Sequence, residues 1–145
     1  EAWPVSWKQL GRLERLHASF ALRILGVSRM QQRITHTTNA DLVKRLGVQP
    51  VRELYVQRVL RWLGHVARQE PERLPKRFTF GWLPPRAAPG STNHLPGLRY
   101  CDVAHRALDV RGVDRATWYA VARKDHGETW REVVHGSWAP AAARS

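Results

Sequence analysis

One long helical pattern, from Pro50 to Arg68, constrains the fold of this chain more than any other segment. Apolar side chains recur in it every three or four residues, the spacing that places them on one face of a helix. They are Val51, Leu54, Tyr55, Val59, Trp62, Leu63 and Val66. The polar flank carries Arg52, Arg58, Arg61 and Arg68. Proline is tolerated in the first turn of a helix, so the pattern predicts one amphipathic helix over the whole stretch.

A capping sequence and a terminal glycine predict another helix near the start of the chain. Ser6 and Gln9 have the spacing of a capping box, in which each side chain bonds the backbone N–H of the other residue. The side chains that then recur at helical spacing are Leu10, Leu13, Leu16 or His17, Phe20 and Ile24. Gly26 is suited to the C-terminal cap, so a helix is predicted over residues 7–25.

The same signals predict a short helix over residues 39–46. Thr38 is a favourable N-cap, Asp41 stands three residues further on, and Gly47 follows as a C-terminal cap. With the arginine-rich helix after it, this segment imitates a helix-turn-helix, the DNA-binding motif whose second helix enters the major groove. Glu53 stands where that motif usually needs an apolar side chain. Because of this mismatch, a stand-alone DNA-binding module is kept only as the second interpretation.

Prolines and glycines interrupt the helical pattern after residue 70. The interruptions include Pro71, Pro75, Pro84-Pro85, Pro89-Gly90 and Pro96-Gly97. Such a stretch is typical of a linker, in which Phe78-Thr79-Phe80 would form at most a short strand. Helical spacing returns at Tyr100 and predicts a helix to about Arg111, followed by two shorter ones that contain Trp118 and Trp130.

These patterns predict an all-α fold of about six helices, in two small subdomains joined by a Pro/Gly-rich loop. A chain of 145 residues can bury one core of ordinary size or two small ones. The predicted parts are an N-terminal helical subdomain (1–70), the linker (71–98), a C-terminal helical subdomain (99–136) and a disordered tail (137–145).

The charge is strongly positive: 24 lysines and arginines stand against 12 aspartates and glutamates, a formal net charge of +12. Only Lys8, Lys44, Lys76 and Lys124 are lysines, so arginine dominates. A charge of this size favours a polyanionic partner, because each phosphate that is neutralised releases condensed counterions. Nucleic acid is therefore the expected partner. The alternative is arginine-rich codon usage in a GC-rich genome, which is unrelated to binding.

Candidate catalytic and metal-binding residues are few. The carboxylates are scattered singly, whereas polymerase or nuclease chemistry needs clustered carboxylates that hold metal ions. Cys101 is the only cysteine, and with His105 it supplies at most two of the four ligands that a structural zinc site needs. We expect no catalytic residue, no metal and no cofactor. A single cysteine suits the reducing nucleus or cytoplasm, and no apolar run is long enough to predict a membrane segment.

Gly64-His65 interrupts the long helical pattern. Glycine inside a helix costs about 1 kcal/mol relative to alanine, and it often permits the close approach of another backbone. We expect a helix crossing there, with His65 donating to a carbonyl or a phosphate and Trp62 anchoring the core. Of the seven tryptophans, Trp82 in the linker is the best candidate for stacking on bases.

Several blocks of the chain stand in an order that resembles a known family. They are Glu1-Ala2-Trp3, Leu22 to Val27 (LRILGV), Gln32 to Thr35 (QRIT), Leu60 to Arg68 (LRWLGHVAR), and Trp118 with Ala122, Trp130 and Arg131. Over residues 1–135 they resemble the region that follows the polymerase core in reverse transcriptases of non-LTR (LINE-type) retrotransposons. The chain departs from the family pattern at Gln69, where methionine is usual, and it lacks the cysteine-rich zinc knuckle of some members.

The resemblance implies a thumb and connection region of an RNA-directed DNA polymerase, whose catalytic aspartates lie in an upstream domain of the same polyprotein. The implied role is to hold RNA, an RNA–DNA hybrid or DNA by its phosphates, without catalysis by these residues alone. The expected phosphate contacts are Arg58, Arg61, Arg68, Lys76 and Arg77, followed by Arg12, Arg15, Arg23 and Arg33. A non-functional transposon remnant is the remaining alternative.

Overall fold

The computed structural model describes residues 5–81 and 100–136, and every regular element in these ranges is a helix. The predicted all-α class is confirmed. The α-helices are α1 (Trp7–Ile24), α2 (Arg29–Ile34), α3 (Asn39–Arg45), α4 (Val51–Arg68), α5 (Leu74–Gly81), α6 (Tyr100–Val110), α7 (Trp118–Arg123) and α8 (Glu128–His135). A short 3-10 turn, Lys124–Gly127, joins the last two. No described helix combines the length and the apolar character that a membrane crossing requires.

The described residues form two compact units, which we call the N-unit (residues 5–55) and the C-unit (residues 56–81 and 100–136). The division falls inside α4, because this helix supplies core side chains to the C-unit from Val56 onward. The sequence places a subdomain boundary later, at residue 70. The predicted tail, 137–145, lies outside the described residues.

In the N-unit, α1, α2 and α3 each begin with a capping box. The pairs are Ser6 with Gln9, Ser28 with Gln31, and Thr38 with Asp41. The packing of α1 against α3 is centred on the buried Ala21, Leu22 and Leu42, with the partly buried Leu25, Val27 and Leu46 around them. Gly26 and Gly47 follow α1 and α3 with left-handed φ angles of 64° and 67°, as the predicted C-terminal caps require.

The buried face of α1 differs from the face that its large apolar residues share. Leu10 is buried, but the other buried side chains are Ala18, Ala21 and Leu22. The exposed ones are Leu13, Leu16, Phe20 and Ile24, the last by 72%. Small side chains allow two helices to approach closely, so the contact with α3 selects the alanine face of α1 over the bulkier one.

Two helices lie outside the six that were predicted. The N-cap of α2 is Ser28, whose backbone N–H donates to Oε1 of Gln31 at 2.9 Å and whose Oγ accepts from the Gln31 N–H at 3.1 Å. α5 occupies the start of the predicted linker, including the three residues considered for a strand. Pro75 is the second residue of α5, where proline removes no helical hydrogen bond. The rest of that linker, 82–98, lies outside the described residues.

The capping box at Thr38 perturbs a carboxylate. The Thr38 hydroxyl and backbone N–H donate to the Asp41 carboxylate at 2.6 and 2.9 Å, and these hydrogen bonds lower the pKa of Asp41. A carboxylate whose folded pKa is lowered stabilises the fold above its unfolded pKa. That contribution is lost as the pH falls through the folded pKa.

Thr38→Ala is therefore expected to raise the pKa of Asp41 back toward its usual value, because the hydroxyl donor is gone. The pKa is read from the side-chain NMR shifts of Asp41 in a titration from about pH 2 to 6. Ser28→Ala is the matched control, since it removes a cap that holds no carboxylate. It should leave the Asp41 titration unchanged. An unaltered pKa in Thr38→Ala would contradict the hydrogen-bonded cap.

The core of the C-unit is assembled from α4, α6 and α8. Its buried apolar residues include Val56, Val59, Leu60, Leu63, Val66 and Ala67 of α4, Val103, Ala104, Ala107 and Leu108 of α6, and Val133 and Val134 of α8. Trp130 is the largest buried side chain, at 2% exposure, and its Nε1–H donates to the carbonyl of Leu60 at 2.8 Å. A buried indole needs such a partner, so Trp130 anchors α8 to α4. Trp62 and Trp118 are only partly buried.

Candidate nucleic-acid interface

The exposed side of α4 within the C-unit is basic. Arg58, Arg61 and His65 are exposed and stand at positions i, i+3 and i+7, so they share one face of the helix. Within the described part of the chain, neither arginine has a hydrogen bond or an ion pair. We call this surface the α4 basic face. It presents two guanidinium groups, about one helical turn apart, that are available to phosphates.

Gly64 marks a close contact, but its partner is a side chain and not the backbone that the sequence predicts. A Cβ atom on the buried Gly64 would lie 2.1 Å from Nε1 and 2.2 Å from Cδ1 of Trp130. The indole therefore occupies the space that a side chain at position 64 would need. This packing explains why a glycine stands inside α4.

His65 takes no part in this contact and bonds no carbonyl within the described residues; its expected contact with a phosphate stays a prediction. Successive residues of a helix are rotated by about 100°, which turns His65 toward solvent when Gly64 faces the core. Its Nε2 shares a hydrogen bond of 2.9 Å with Nε2 of Gln69. The His65 ring also lies 6.1 Å from the ring of Trp62, centroid to centroid. His65 is thus a member of the α4 basic face.

Arg68, predicted to contact phosphate, has an intramolecular partner. Its Nη1 donates to the carbonyl of Ala122 at 2.9 Å. The guanidinium also lies against Gly127, where a Cβ atom would stand 2.8 Å from Nη1. Arg68 therefore ties the end of α4 to the end of α7 and the turn that follows it. A long-range contact of this kind leaves no signal in the sequence around residue 68.

Lys76 and Arg77 are neighbours in α5 with different surroundings. Nζ of Lys76 donates to the carbonyls of Ala67 and Gln69, at 3.2 and 2.7 Å, and so satisfies acceptors at the C-terminal end of α4. The ammonium lies 5.5 Å from the ring centroid of Tyr119, and its hydrogen bond lowers the pKa of that phenol. Arg77 is exposed and has no partner among the described residues. Of the two, only Arg77 is free to bind phosphate.

A second basic surface lies in the N-unit, where three arginines line one cleft. Arg15 comes from α1, and Arg29 and Arg33 come from α2. The other lining residues are Ala18, Ser19, Leu22, Gln32 and Asn39, and the volume of the cleft is about 210 Å³. We call it the arginine cleft. It brings together two predicted phosphate contacts, Arg15 and Arg33, with Arg29, which is not among the predicted contacts.

A local signal for Arg29 was present in the sequence. Ser28 and Gln31 have the capping-box spacing, which predicts a helix that begins at Arg29 and places Arg33 one turn further along the same face. Arg12 and Arg23, the other predicted contacts on α1, are exposed but do not line the cleft.

The remaining candidate positions do not form a site in the described residues. Trp82, the candidate for base stacking, lies outside them. Within residues 5–81 and 100–136, no group of three or more His, Cys, Asp or Glu side chains is placed to hold a metal ion. Cys101 is a partly buried free thiol, and its pairing with His105 is not extended to a zinc site by any other described residue.

The chain is thus an all-α protein. Each of its two units exposes arginines that have no partner within the described residues. A scan against protein-family models and searches of curated proteins and of solved structures find no match for this chain. What it binds is therefore argued from its own residues.

Proposed function

We propose that this chain binds nucleic acid by its phosphates and catalyses no reaction itself. The α4 basic face carries the proposal. Arg58 and Arg61 are exposed, have no partner within the described residues, and stand on a helix whose opposite side is buried in the C-unit core. A guanidinium in this setting offers a planar pair of donors that matches two phosphate oxygens.

Few of the exposed arginines of the described residues are neutralised by carboxylates of the chain, and this also supports nucleic acid as the partner. Ion pairs join Arg52 to Glu14 at 3.4 Å and Arg115 to Asp109 at 2.5 Å. Other exposed arginines have no such partner in the described ranges, among them Arg12, Arg23, Arg45, Arg73, Arg106 and Arg131. With a net charge of +12, the release of counterions from a polyanion remains available as a driving force.

The sequence resemblance gives this proposal its specific form. By that resemblance the bound nucleic acid is template RNA, an RNA–DNA hybrid or target DNA, and an upstream polymerase domain of the same polyprotein supplies catalysis. The α4 basic face falls within the LRWLGHVAR block that carries much of the resemblance. The helix would then hold the duplex by its backbone, which carries no sequence information directly.

The experiment is a titration of the full chain with a labelled RNA–DNA hybrid, and with duplex DNA of the same sequence, at several salt concentrations. The affinity is expected to be higher for the hybrid and to fall steeply with salt. The double substitution Arg58→Gln and Arg61→Gln is expected to weaken binding of every sequence. It should also reduce the salt slope, the slope of log affinity against log salt concentration, by about two, since each phosphate contact contributes about one. Thermal unfolding should be unchanged, because both side chains are exposed and unpaired.

The matched control removes the same charge elsewhere in the C-unit, with Arg106→Gln and Arg131→Gln, which are also exposed and unpaired in the described part. An equal loss of affinity in the control would show that the α4 basic face is not the interface. Sequence-selective binding to duplex DNA would favour the helix-turn-helix alternative. Absence of both binding and cooperative unfolding would favour a non-functional remnant.

A further inference from the structure

The arginine cleft concentrates positive charge without any internal compensation. Arg15, Arg29 and Arg33 are all exposed, and no carboxylate stands among the residues that line the cleft. None of the three arginines has a hydrogen bond or an ion pair within the described residues. Arg29 and Arg33 are also one turn apart on α2, and like charges at this spacing destabilise a helix. An anion between the guanidinium groups would relieve this repulsion.

Among the neutral polar residues that line the cleft, Asn39 keeps a free hydrogen-bond donor. Nε2 of Gln32 donates to Oδ1 of Asn39 at 3.0 Å and to the carbonyl of Thr37 at 3.1 Å. The first of these bonds uses the side-chain oxygen of Asn39 as acceptor, and Nδ2 of Asn39 remains as a donor without a partner in the described part of the chain. The Asn39 amide and the guanidinium groups therefore offer N–H donors, which suit an oxoanion.

The shape of the cleft suits a small ligand. Ala18 and Leu22, which are nearly fully buried, contribute its apolar lining. The volume of the cleft is about 210 Å³. This is room for one phosphate group with part of its hydration. Each of the three helices that surround the cleft begins with its own capping box, which holds the backbone positions from which the donor side chains extend.

We propose that the arginine cleft is a binding site for a single phosphate group, held by Arg15, Arg29 and Arg33 with the Asn39 amide. The cleft is distinct from the α4 basic face. That the phosphate belongs to a nucleic acid rests on the proposed function. Within nucleic acid, a backbone phosphodiester and a terminal phosphate share this chemistry, and they are separated by experiment.

The direct test is a titration of the full, isotope-labelled chain with inorganic phosphate, with chloride lowered to hold the ionic strength constant. Side-chain NMR signals of the Asn39 amide and of the arginine Nε–H groups report on the cleft itself. Saturable shifts of these signals are expected. Arg33→Gln should weaken the phosphate affinity about tenfold, the loss expected for one charge-assisted contact.

The matched control is Arg45→Gln, an exposed and unpaired arginine of the N-unit that does not line the cleft. It should leave the phosphate affinity unchanged. Non-saturable shifts, or equal effects of Arg33→Gln and Arg45→Gln, would overturn the proposal. Thermal melts of both variants establish that each remains folded.

Oligonucleotides with and without a 5′ phosphate identify the source of the ligand. Dependence of the Asn39 shifts on the 5′ phosphate would assign a terminal phosphate to the cleft, and equal shifts would assign the backbone. The two proposals fail separately. Hybrid binding that depends on Arg58 and Arg61 without phosphate in the cleft would overturn the cleft alone. Saturable phosphate binding without nucleic-acid binding would overturn only the proposed function and the nucleic-acid source.

Discussion

Gly64→Ala is expected to destabilise the C-unit by about 3 kcal/mol, although alanine is the better helix former. The new Cβ atom would stand 2.1 Å from Nε1 of Trp130, so the indole must move. Trp130 is buried at 2% exposure and donates to the carbonyl of Leu60 at 2.8 Å. Overpacking a core costs roughly 1–3 kcal/mol, and leaving a buried donor unsatisfied costs roughly 1–3 kcal/mol more. The gain of about 1 kcal/mol in helix propensity offsets part of this.

The effect is measured as the change in the free energy of unfolding by urea, followed by tryptophan fluorescence. Gly11→Ala is the matched control, because Gly11 also lies inside a helix but a Cβ atom there meets nothing within 4 Å. It should stabilise the chain by up to about 1 kcal/mol. If Gly64→Ala behaved like Gly11→Ala, the packing of the indole against α4 would be refuted.

A double-mutant cycle sharpens this test. In a Trp130→Leu background, the penalty of Gly64→Ala should be much smaller, because the smaller side chain leaves room for the methyl group. Residues in direct contact show such non-additivity, typically about 0.5–3 kcal/mol. Additive effects would place the cause of the destabilisation elsewhere than in this contact.

Arg68→Ala is expected to destabilise the C-unit by about 1–2 kcal/mol. Nη1 donates to the carbonyl of Ala122 at 2.9 Å, and the guanidinium packs against the backbone at Gly127. Hydrogen bonds of charged groups contribute roughly 1.5–3 kcal/mol, and the lower end applies because Arg68 is exposed and solvent screens the interaction. Arg68→Lys should rescue only part of the loss, since an ammonium cannot reproduce the planar contact of the guanidinium.

Arg61→Ala is the control variant for Arg68→Ala. Arg61 is exposed on the same helix and has no partner within the described residues. Its replacement should change the free energy of unfolding by less than about 0.5 kcal/mol and lower the salt slope of nucleic-acid binding by about one. Equal stability losses for the two variants, measured by urea unfolding, would contradict the division into a structural and a ligand-facing arginine.

This division extends through the block that carries much of the sequence resemblance. In LRWLGHVAR, Leu60, Leu63, Gly64, Val66 and Ala67 are buried. Arg61 and His65 face outward, and Arg68 contacts the chain itself. Most of this block is therefore internal packing. A resemblance in such a block indicates similar helix packing more directly than similar binding. The binding of a ligand depends on the fewer residues that face outward.

The boundaries of several helices could be predicted from the sequence closely. The predictions 7–25 and 50–68 correspond to α1 (Trp7–Ile24) and α4 (Val51–Arg68), and the helix to about Arg111 corresponds to α6 (Tyr100–Val110). Caps and apolar periods act over three or four residues, so they are legible in the sequence itself. α2 had the same signal at Ser28 and Gln31. In α5 the prolines suggested interruption, although Pro75 occupies a position where a helix tolerates it.

Which face of each helix is buried was harder to predict. On α1 the large apolar residues from Leu13 to Ile24 suggest one face, yet Ala18 and Ala21 are the buried ones. The arginines illustrate the same limit. Arg58 and Arg68 are alike in the sequence pattern, but only Arg68 has a carbonyl within reach. Periodicity reveals that a helix is amphipathic and says little about which neighbour it meets.

The sequence by itself determined the all-α class, the positions of the capped helices and the excess of positive charge, because each depends on local spacing or on composition. Only the tertiary structure decided that Gly64 receives an indole, that Arg68 holds a distant carbonyl, and that Arg15 joins Arg29 and Arg33 in one cleft. The physical reason is the range of the interactions. Trp130 and the carbonyl that it bonds are 70 residues apart, and contacts of that range exist only after the helices have packed.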